Sequence, residues 1–565
     1  MRGPVRARLR PRGGDGGSVL GSSAVMASGT VVSRLSGFVR NGMLMAAIGN
    51  GLHGDVFNIA NTVPNMLYIL LAGGVFNAVL VPQLVRAQKT DADGGEAYTN
   101  RVITLAGLFL AGASAVLVVL APLLMHLFLD GSYFTSVCTD QRESVFAFAR
   151  WCLPQVFFYG MFVLVGQVLN ARGSFGPMMW APIVNNVVAV AVLATYLGVF
   201  GAAPRNATGG YGGGQEALLG LGSTVGIAAQ LLVLIPYLRA AGFHFRPRFD
   251  FRNSGLGHTL RLGVWTVLFV VVNQIAYAIV VRLASSGTAQ AAGAACGGGG
   301  TQGTGYTIYS YAFLLVMVPH SIITVSLATA VLPQLSRFAA AGDLRALGRE
   351  SSATLRTTLS IVLPLMAVVP VVATDLSGLV YGWGASSSTS GRFAPTLSLF
   401  ALGVVFYTVH YLSLRSFYAL EETRRVFHIQ CAVALTNIVV ALWLTHGAPD
   451  REIAPRLVIA YSASYLVGAT LSLTQLSRRL GGIDGSRVLR FLVRLAIATG
   501  VATVVAWLVM HGLHQVLSGV GKPEVLLRLA VTGGVDVVVV LVLARLMRIS
   551  ELDGLTRTVV GRLRR

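Results

Sequence analysis

Long apolar segments, each about the length of a bilayer-spanning helix, follow one another through this chain, and basic residues gather in every second gap between them. A helix needs about 20 mostly apolar residues to cross the hydrocarbon core of a membrane. By that measure the sequence holds fourteen candidate spans, at 18–48, 55–85, 100–129, 144–169, 178–202, 216–239, 258–285, 306–336, 353–383, 394–420, 426–446, 454–477, 488–513 and 524–547. The second gap holds Arg86 and Lys89, the sixth Arg239, Arg246, Arg248 and Arg252, the eighth Arg337, Arg345 and Arg349, the tenth Arg424 and Arg425, and the twelfth Arg478, Arg479 and Arg487. Odd-numbered gaps are poor in them: 286–305 carries no charge, and 130–143 sets Asp130, Asp140 and Glu143 against Arg142. This is the positive-inside pattern, which places both termini in the cytoplasm. It also fixes the expected count at fourteen, because one span more or fewer would move every later basic loop to the wrong side.

The composition is that of an all-α polytopic membrane protein: 12% of the 565 residues are charged and 54% hydrophobic, where a soluble domain has roughly 25% charged. A net charge of +21 would suit a nucleic-acid partner, but its alternation by loop assigns it to topology and to anionic membrane lipids. No nucleic-acid partner is expected. The sequence has no Walker motif, metal-ligand cluster or nucleophile constellation, so neither an enzyme nor a cofactor is expected. The first 17 residues, rich in Arg, Gly and Pro, read as a disordered basic cytoplasmic tail followed by a span too long for a signal peptide. Residues 548–565 read as a second basic tail, and the Gly-rich stretches 204–215 and 285–305 as mobile outer linkers.

Within the apolar segments a repeat is visible. Val81-Pro-Gln-Leu84 returns as Leu332-Pro-Gln-Leu335, Phe158-Tyr159 as Phe406-Tyr407 and Asn186 as Asn437, at offsets of 251, 248 and 251 residues. Each pair lies six spans apart, an even number, so the two halves insert in the same direction and are related by a pseudo-twofold axis along the membrane normal. Residues 18–240 form one six-helix lobe and 258–480 the other. The last two spans, 487–547, lie outside the repeat. Two lobes of this kind are the mark of a transporter that rocks around a central site.

Ionisable groups inside the spans mark that site, since a charge at mid-membrane costs at least ~2.5–3.5 kcal/mol and tends to face a cavity. Arg34 and Arg40 in span 1 are separated by roughly 9 Å along the axis and about 120° around it, so both can line one wide cavity from different depths. The alternatives are snorkelling for Arg34 and a salt bridge to another helix for Arg40. Asp55 opens span 2 at the outer side, as an outer-gate residue or as an exposed carboxylate on its own helix dipole. Arg415 in span 10 is the candidate cavity cation of the second lobe, or an interhelix bond. Asn273, Thr436 and Asn437 suit helix–helix hydrogen bonds better than a sodium site. Asp536, midway along span 14, is expected to bond a neighbouring helix, and Asp375, near the outer end of span 9, to reach water. The four cysteines lack metal-site spacing; Cys138 and Cys296 fall in outer loops, where oxidation is possible and a bridge would tie the lobes together.

The run Val32-Ser-Arg-Leu-Ser-Gly-Phe-Val-Arg40, with Asp55, Asn61-Thr-Val-Pro-Asn65, Ala72-Gly-Gly-Val-Phe76 and Val81-Pro-Gln-Leu84, resembles the MurJ/MviN lipid II flippases of the multidrug/oligosaccharidyl-lipid/polysaccharide exporter superfamily. The likeness continues from Tyr309 to Phe338 in the second lobe. It implies a protein of the bacterial plasma (inner) membrane that exports lipid II, the lipid-linked precursor of peptidoglycan in cell-wall biogenesis, from the cytoplasmic to the outer leaflet by alternating access. By the same likeness Arg34 and Arg40 meet the diphosphate, Asp55 acts in the outer half, and spans 13–14 form a groove for the polyprenyl tail. The chain departs from the pattern where family charges fall on Tyr68 or Ile69, Gly73, Leu314 and Met317. Binding would then rest on fewer arginines, with Asn61, Asn65, Tyr68 and His320 beside them. Membrane potential or an ion gradient is the expected drive. The competing readings are export of another polyprenyl-diphosphate glycan and a non-transporting scaffold that recruits cell-wall synthesis or division proteins.

Overall fold

The computed structural model describes residues 16–70, 93, 95–204, 207–250, 256–290, 296, 303–517, 519, 521–549 and 551–552. Among them all regular structure is helical. The first lobe comprises α1 (Gly16–Ile48), α2 (Leu52–Ile69), α3 (Glu96–Val119), α4 (Ala121–Phe128), α5 (Thr139–Cys152), α6 (Gln155–Ala171), α7 (Gly176–Phe200), α8 (Gly213–Leu232) and α9 (Leu234–Ala240). The second comprises α10 (Leu256–Ala289), α11 (Tyr306–Pro319), α12 (Val325–Ala340), α13 (Leu344–Ala367), α14 (Val369–Tyr381), α15 (Phe393–Ala419), α16 (Thr423–Thr445) and α17 (Ile453–Leu480). Two further helices follow, α18 (Gly485–Val516) and α19 (Lys522–Leu546).

Several expected spans are broken where proline removes a backbone donor and crowds the preceding turn. Pro122 starts α4, Pro154 precedes α6, and Pro319 leads into a π-helical turn at His320–Thr324. Beside Pro370, α13 and α14 meet at a bend of 67°. Among the described residues eleven helical segments are long and apolar enough to cross a membrane, or twelve with the bent pair taken as one span. The count of fourteen is therefore not confirmed. The first two expected spans are helices, but α2 is only 18 residues long and carries Asp55, Asn58, Asn61 and Asn65. Its expected continuation, with the Ala72–Phe76 and Val81–Leu84 motifs and Gly73, lies outside the described residues, as do most of both basic tails.

The end bearing the charge-poor loops is the outer end by the charge pattern. There one buried apolar cluster runs through both lobes, from Met45, Ile48, Val56 and Phe57 to Ile308, Phe393, Phe400 and Tyr461. Toward the other end the lobes have separate cores, one around Phe162, Leu164, Leu169 and Phe243 and one around Leu347, Phe417, Ile429 and Leu476. Every hydrogen bond between the lobes among the described residues falls between the outer loops and the level of Met66 and Gln274. Inside the lobes, Asn186 donates to Ser33 O and Ser36 Oγ, and Gln430 to Asn273 Oδ1, the helix–helix bond expected of Asn273. Thr436 instead donates to Ala432 O of its own helix, and Asn437 Oδ1 is buried without a partner among the described residues. At the basic end Arg101 bonds Asp250 at 2.9 Å, which holds that carboxyl below its usual range.

Four expectations change. Asp375 does not reach water: it is 6% exposed, and Arg528 of α19, 4% exposed, donates to both its oxygens at 2.7 and 3.1 Å. Arg528 also bonds the carbonyls of Leu517 and Gly519, and Lys522 those of Gly378 and Gly382, so α18–α19 are pinned to the second lobe at the outer end. Asp536 lies 3% exposed with its Oδ1 unpartnered among the described residues, so its expected bond is absent. The 204–215 linker packs down: Tyr211 donates to His53 O, its ring stacks on His53, and Gln141 donates to Thr208 O. The start of the second tail also packs, with Ile549 and Leu552 buried and Glu551 paired to Arg356 at 2.7 Å.

A buried ion pair broken on one side leaves an uncompensated charge, which costs about 3–5 kcal/mol. Arg528→Leu should lower stability by that amount in detergent unfolding, and Asp375→Leu/Arg528→Leu should recover most of the loss. Additive losses in the double variant would show that the two side chains do not act as a pair.

Candidate functional site

Asp55 sits one turn into α2 and is fully buried. Its Oδ1 accepts from the backbone N–H of Thr307 at 2.6 Å, and its Oδ2 from the N–H of Tyr306 at 3.1 Å and the hydroxyl of Thr288 at 2.6 Å. Tyr306 and Thr307 open α11, so the carboxylate of one lobe caps a helix of the other. The first turn of a helix has unpaired N–H groups and a positive dipole end, which a carboxylate satisfies together. Gly305 makes the approach possible, because a Cβ there would fall on the Asp55 carboxylate. An exposed carboxylate on its own helix dipole is thereby excluded.

The contact extends along both helices. Asn58 donates to Thr307 Oγ1 at 3.0 Å and accepts from Tyr311 at 3.3 Å; Thr62 and Tyr277 both bond the Tyr306 hydroxyl, at 2.6 and 2.8 Å. On one side Ser386 donates to Met45 O, and Thr389 and Asn50 bond each other twice. On the other, Arg282 donates to His126 O at 3.0 Å, Asp130 N to Ser285 at 2.8 Å, and Gln290 to Asp130 at 3.0 Å. Cys138 and Cys296 are disulfide-bonded across the lobes, with Cα atoms 5.2 Å apart. The outer end is shut by backbone caps, side-chain bonds and one covalent link.

Beneath this closure lies a small cavity of about 80 Å³ lined by Arg40, Asn61, Gln155, Tyr159 and Tyr311 among others. Gln155 donates to Asn61 Oδ1 at 3.0 Å and so fixes its orientation. Arg40 is half-buried and makes only long contacts, 3.3 and 3.4 Å, to the adjacent Asn41. It has no carboxylate partner among the described residues, so the interhelix salt bridge is not formed. A guanidinium left without a counter-ion beside neutral polar side chains suits an anion, and its fork of donors matches phosphate oxygens in pairs. The volume is below the roughly 300–1,000 Å³ of small-molecule sites, so a large head group needs the lobes to part.

The other candidates are not gathered at this cavity. Arg34 and Asn65 are exposed and do not line it. Tyr68 packs on Tyr159, centroids 4.7 Å apart, which places it at the cavity's margin. Arg415 stacks on Tyr411 at 4.2 Å and bonds its hydroxyl, so its charge is turned into the second lobe; its Nε is buried without a partner. His320 is buried and bonded to Thr408 at 2.8 Å. Leu314 and Met317 are apolar, and Leu314 is 47% exposed. Sequence reasoning missed Asn58, Gly305, Tyr306 and Thr307. The repeat offset of 251 that relates the halves also relates Asp55 to Tyr306, so adding it to Asp55 would have found the partner.

Comparison with known proteins agrees with this arrangement. The family model described as lipid II flippase MurJ matches residues 44–522. A probable lipid II flippase MurJ of Synechocystis sp. is 24% identical over 552 residues, covering 96% of this chain and 98% of its own. One from Haemophilus influenzae is 29% identical over 252 residues, 44% of this chain and 47% of its own. Among solved structures, a lipid II flippase MurJ in an inward closed conformation superposes with a TM-score of 0.68 at 17% identity, covering 92% of this chain and 99% of that one. An inward-facing MATE family transporter of the MOP superfamily follows at 0.59 and 15%, covering 80% and 95%. At such identities the likeness is one of fold.

Two variants test the closure, read as labelling of a Leu44→Cys cavity reporter by a membrane-impermeant maleimide, scored on the residue-44 peptide. Replacing Cys138 and Cys296 by serine should raise labelling relative to the bridged protein. In that serine background Gly305→Ala should raise it further, by roughly fivefold, the factor that goes with about 1 kcal/mol. Labelling that stays at background in both would mean that neither the bridge nor the cap holds this end shut.

Proposed function

With a family match spanning residues 44–522 the chain belongs to the lipid II flippase MurJ family, and we propose that Arg40 and Asp55 are the residues through which it couples cargo to gating. The protein is a lipid II flippase, a transporter and not an enzyme. The observation that carries the proposal is the placement of an uncompensated Arg40 under an outer end closed by the Asp55 cap. Arg40 takes the diphosphate, and Asn61 and Tyr68 line the path beside it. Arg34 and Asn65 meet the cargo earlier, at the entrance from the basic side. Arg415 becomes a cavity cation only when it leaves Tyr411.

In this cycle the cap holds the outer end while cargo enters between the basic ends of the lobes, and the lobes then part at α2 and α11 to release it. Both termini face the cytoplasm, so the cargo moves outward. An inside-negative potential favours that direction by ~2.3 kcal/mol per negative charge per 100 mV, which is sufficient drive for a diphosphate. The tail stays in lipid along α18–α19.

The test uses cells whose own lipid II flippase is depleted, with this chain as replacement, scoring lipid II cleaved by an externally added toxin. Wild type should restore exposure. Arg40→Ala should reduce it by roughly tenfold or more, as expected when a charged hydrogen bond of about 1.5–3 kcal/mol is lost, and more than Arg34→Ala does. Collapse of the membrane potential should slow exposure by the wild type. Full exposure with Arg40→Ala from a well-inserted protein would overturn the assignment.

A further inference from the structure

The base of α18 and α19 carries charge that the transport cycle does not use. Arg487, Arg490 and Arg494 lie at intervals of three and four residues, so they share one face of the first turns of α18. All are exposed, and that turn holds no acidic residue. Cations are disfavoured at a helix N-terminus by the dipole, so helix stability does not explain them. Together with Arg356, Arg548 and Glu551 they surround a pocket of about 440 Å³, within the range of roughly 300–1,000 Å³ usual for small-ligand sites.

The pocket is built rather than incidental. Its floor is the 7%-exposed Arg356, held by Glu551 at 2.7 Å and Ser352 at 2.7 Å. Its far wall is the turn after α19, closed by bonds from Arg548 N to Arg545 O and from Ile549 N to Ala544 O. That turn puts Arg548 at φ +53°, a left-handed conformation that favours glycine, yet the residue placed there is an arginine facing the pocket. Glu551 is already spent on Arg356. Arg487, Arg494 and Arg548 have no ion-pair partner among the described residues, and Arg490 bonds only the carbonyl of Ser486. Topology asks for positive charge near this end; it does not ask for four guanidiniums around one cavity that have no ion-pair partner among the described residues. Beside them begins an exposed apolar stripe on α18, Leu489, Val493, Ile497 and Val501.

We propose that this pocket binds the phosphate headgroup of a lipid in the leaflet at the basic end, with the lipid's chains lying along the apolar stripe. Guanidiniums bind phosphate oxygens in pairs, and basic pockets between transmembrane helices at the cytoplasmic side suit such headgroups. The lipid comes from one of two sources, an anionic phospholipid or a polyprenyl diphosphate. The site shares no lining residue with the Arg40 cavity, so its binding is measured apart from the transport assay.

The experiment measures binding to purified full-length protein in neutral detergent by native mass spectrometry, with phosphatidylglycerol, phosphatidylcholine, undecaprenyl diphosphate and inorganic pyrophosphate as separate probes. The pocket variant is Arg487→Gln/Arg490→Gln/Arg494→Gln, and Arg494→Glu serves as a milder second variant. The control is Arg337→Gln/Arg345→Gln/Arg349→Gln, which removes equal charge from exposed positions at the same end. Phosphatidylglycerol bound in preference to phosphatidylcholine, and weakened roughly tenfold or more in the pocket variant but not in the control, supports a phospholipid site. The same pattern confined to undecaprenyl diphosphate supports the polyprenyl source. Equal loss in pocket and control variants, no loss in either pocket variant, or binding of pyrophosphate alone overturns the proposal.

Discussion

The structure depends on a carboxylate that one lobe lends to the other. Asp55 is buried and would be costly there if unpaired, yet three donors of the second lobe meet its two oxygens. The start of α11 in turn has no side-chain cap of its own. Each partner therefore leaves the other unsatisfied when they separate, unless water enters. This makes the outer end a two-state element, dry when closed and wet when open. Gly305 and the shared Tyr306 hydroxyl set the closed geometry closely enough that small displacements do not serve as intermediates.

Beneath that closure the charge is asymmetric. Arg40 of the first lobe faces the cavity without a counter-ion, whereas Arg415 of the second is folded onto an aromatic ring. A cation–π contact of that kind is worth about 0.5–2 kcal/mol, little enough for a diphosphate to displace. In the proposed cycle Arg40 is the cargo's first contact, and Arg415 a second one that depends on how far the lobes have moved. Helices α18 and α19 stand outside this exchange, held at the outer end by Arg528 on Asp375 and at the basic end by Glu551 on Arg356, so they move with the second lobe as one piece.

Much of the architecture was legible because a bilayer imposes a single length on spanning helices and a charge rule on their loops. The run of spanning helices follows from that and the two lobes from the internal repeat, whereas the proline breaks were not foreseen. The functional contacts were less legible for a definite reason. Asp55 was singled out as an ionisable group in an apolar helix, but two of its three partners are backbone N–H groups, which leave no residue-type signature. Asp375 was misread as solvated because its partner, Arg528, is 153 residues away and looks by itself like a boundary arginine. Cys138 and Cys296 could be placed on one side of the membrane from sequence, while their pairing depended on how two loops fold over the gate. Of the two arginines placed six residues apart on α1, Arg40 lines the closed cavity and Arg34 is exposed.

The most direct test of the central claim is the distance between the outer ends of the lobes, measured by pulsed electron spin resonance between labels at Ser136→Cys and Arg451→Cys in a chain lacking its native cysteines. With Asp55 present the distribution should be a single short population. With Asp55→Asn, which keeps the size and removes the charge that caps α11, a second, longer population should appear. An unchanged short distribution in the Asn variant would contradict the account, since the outer end would then be held by something other than this carboxylate.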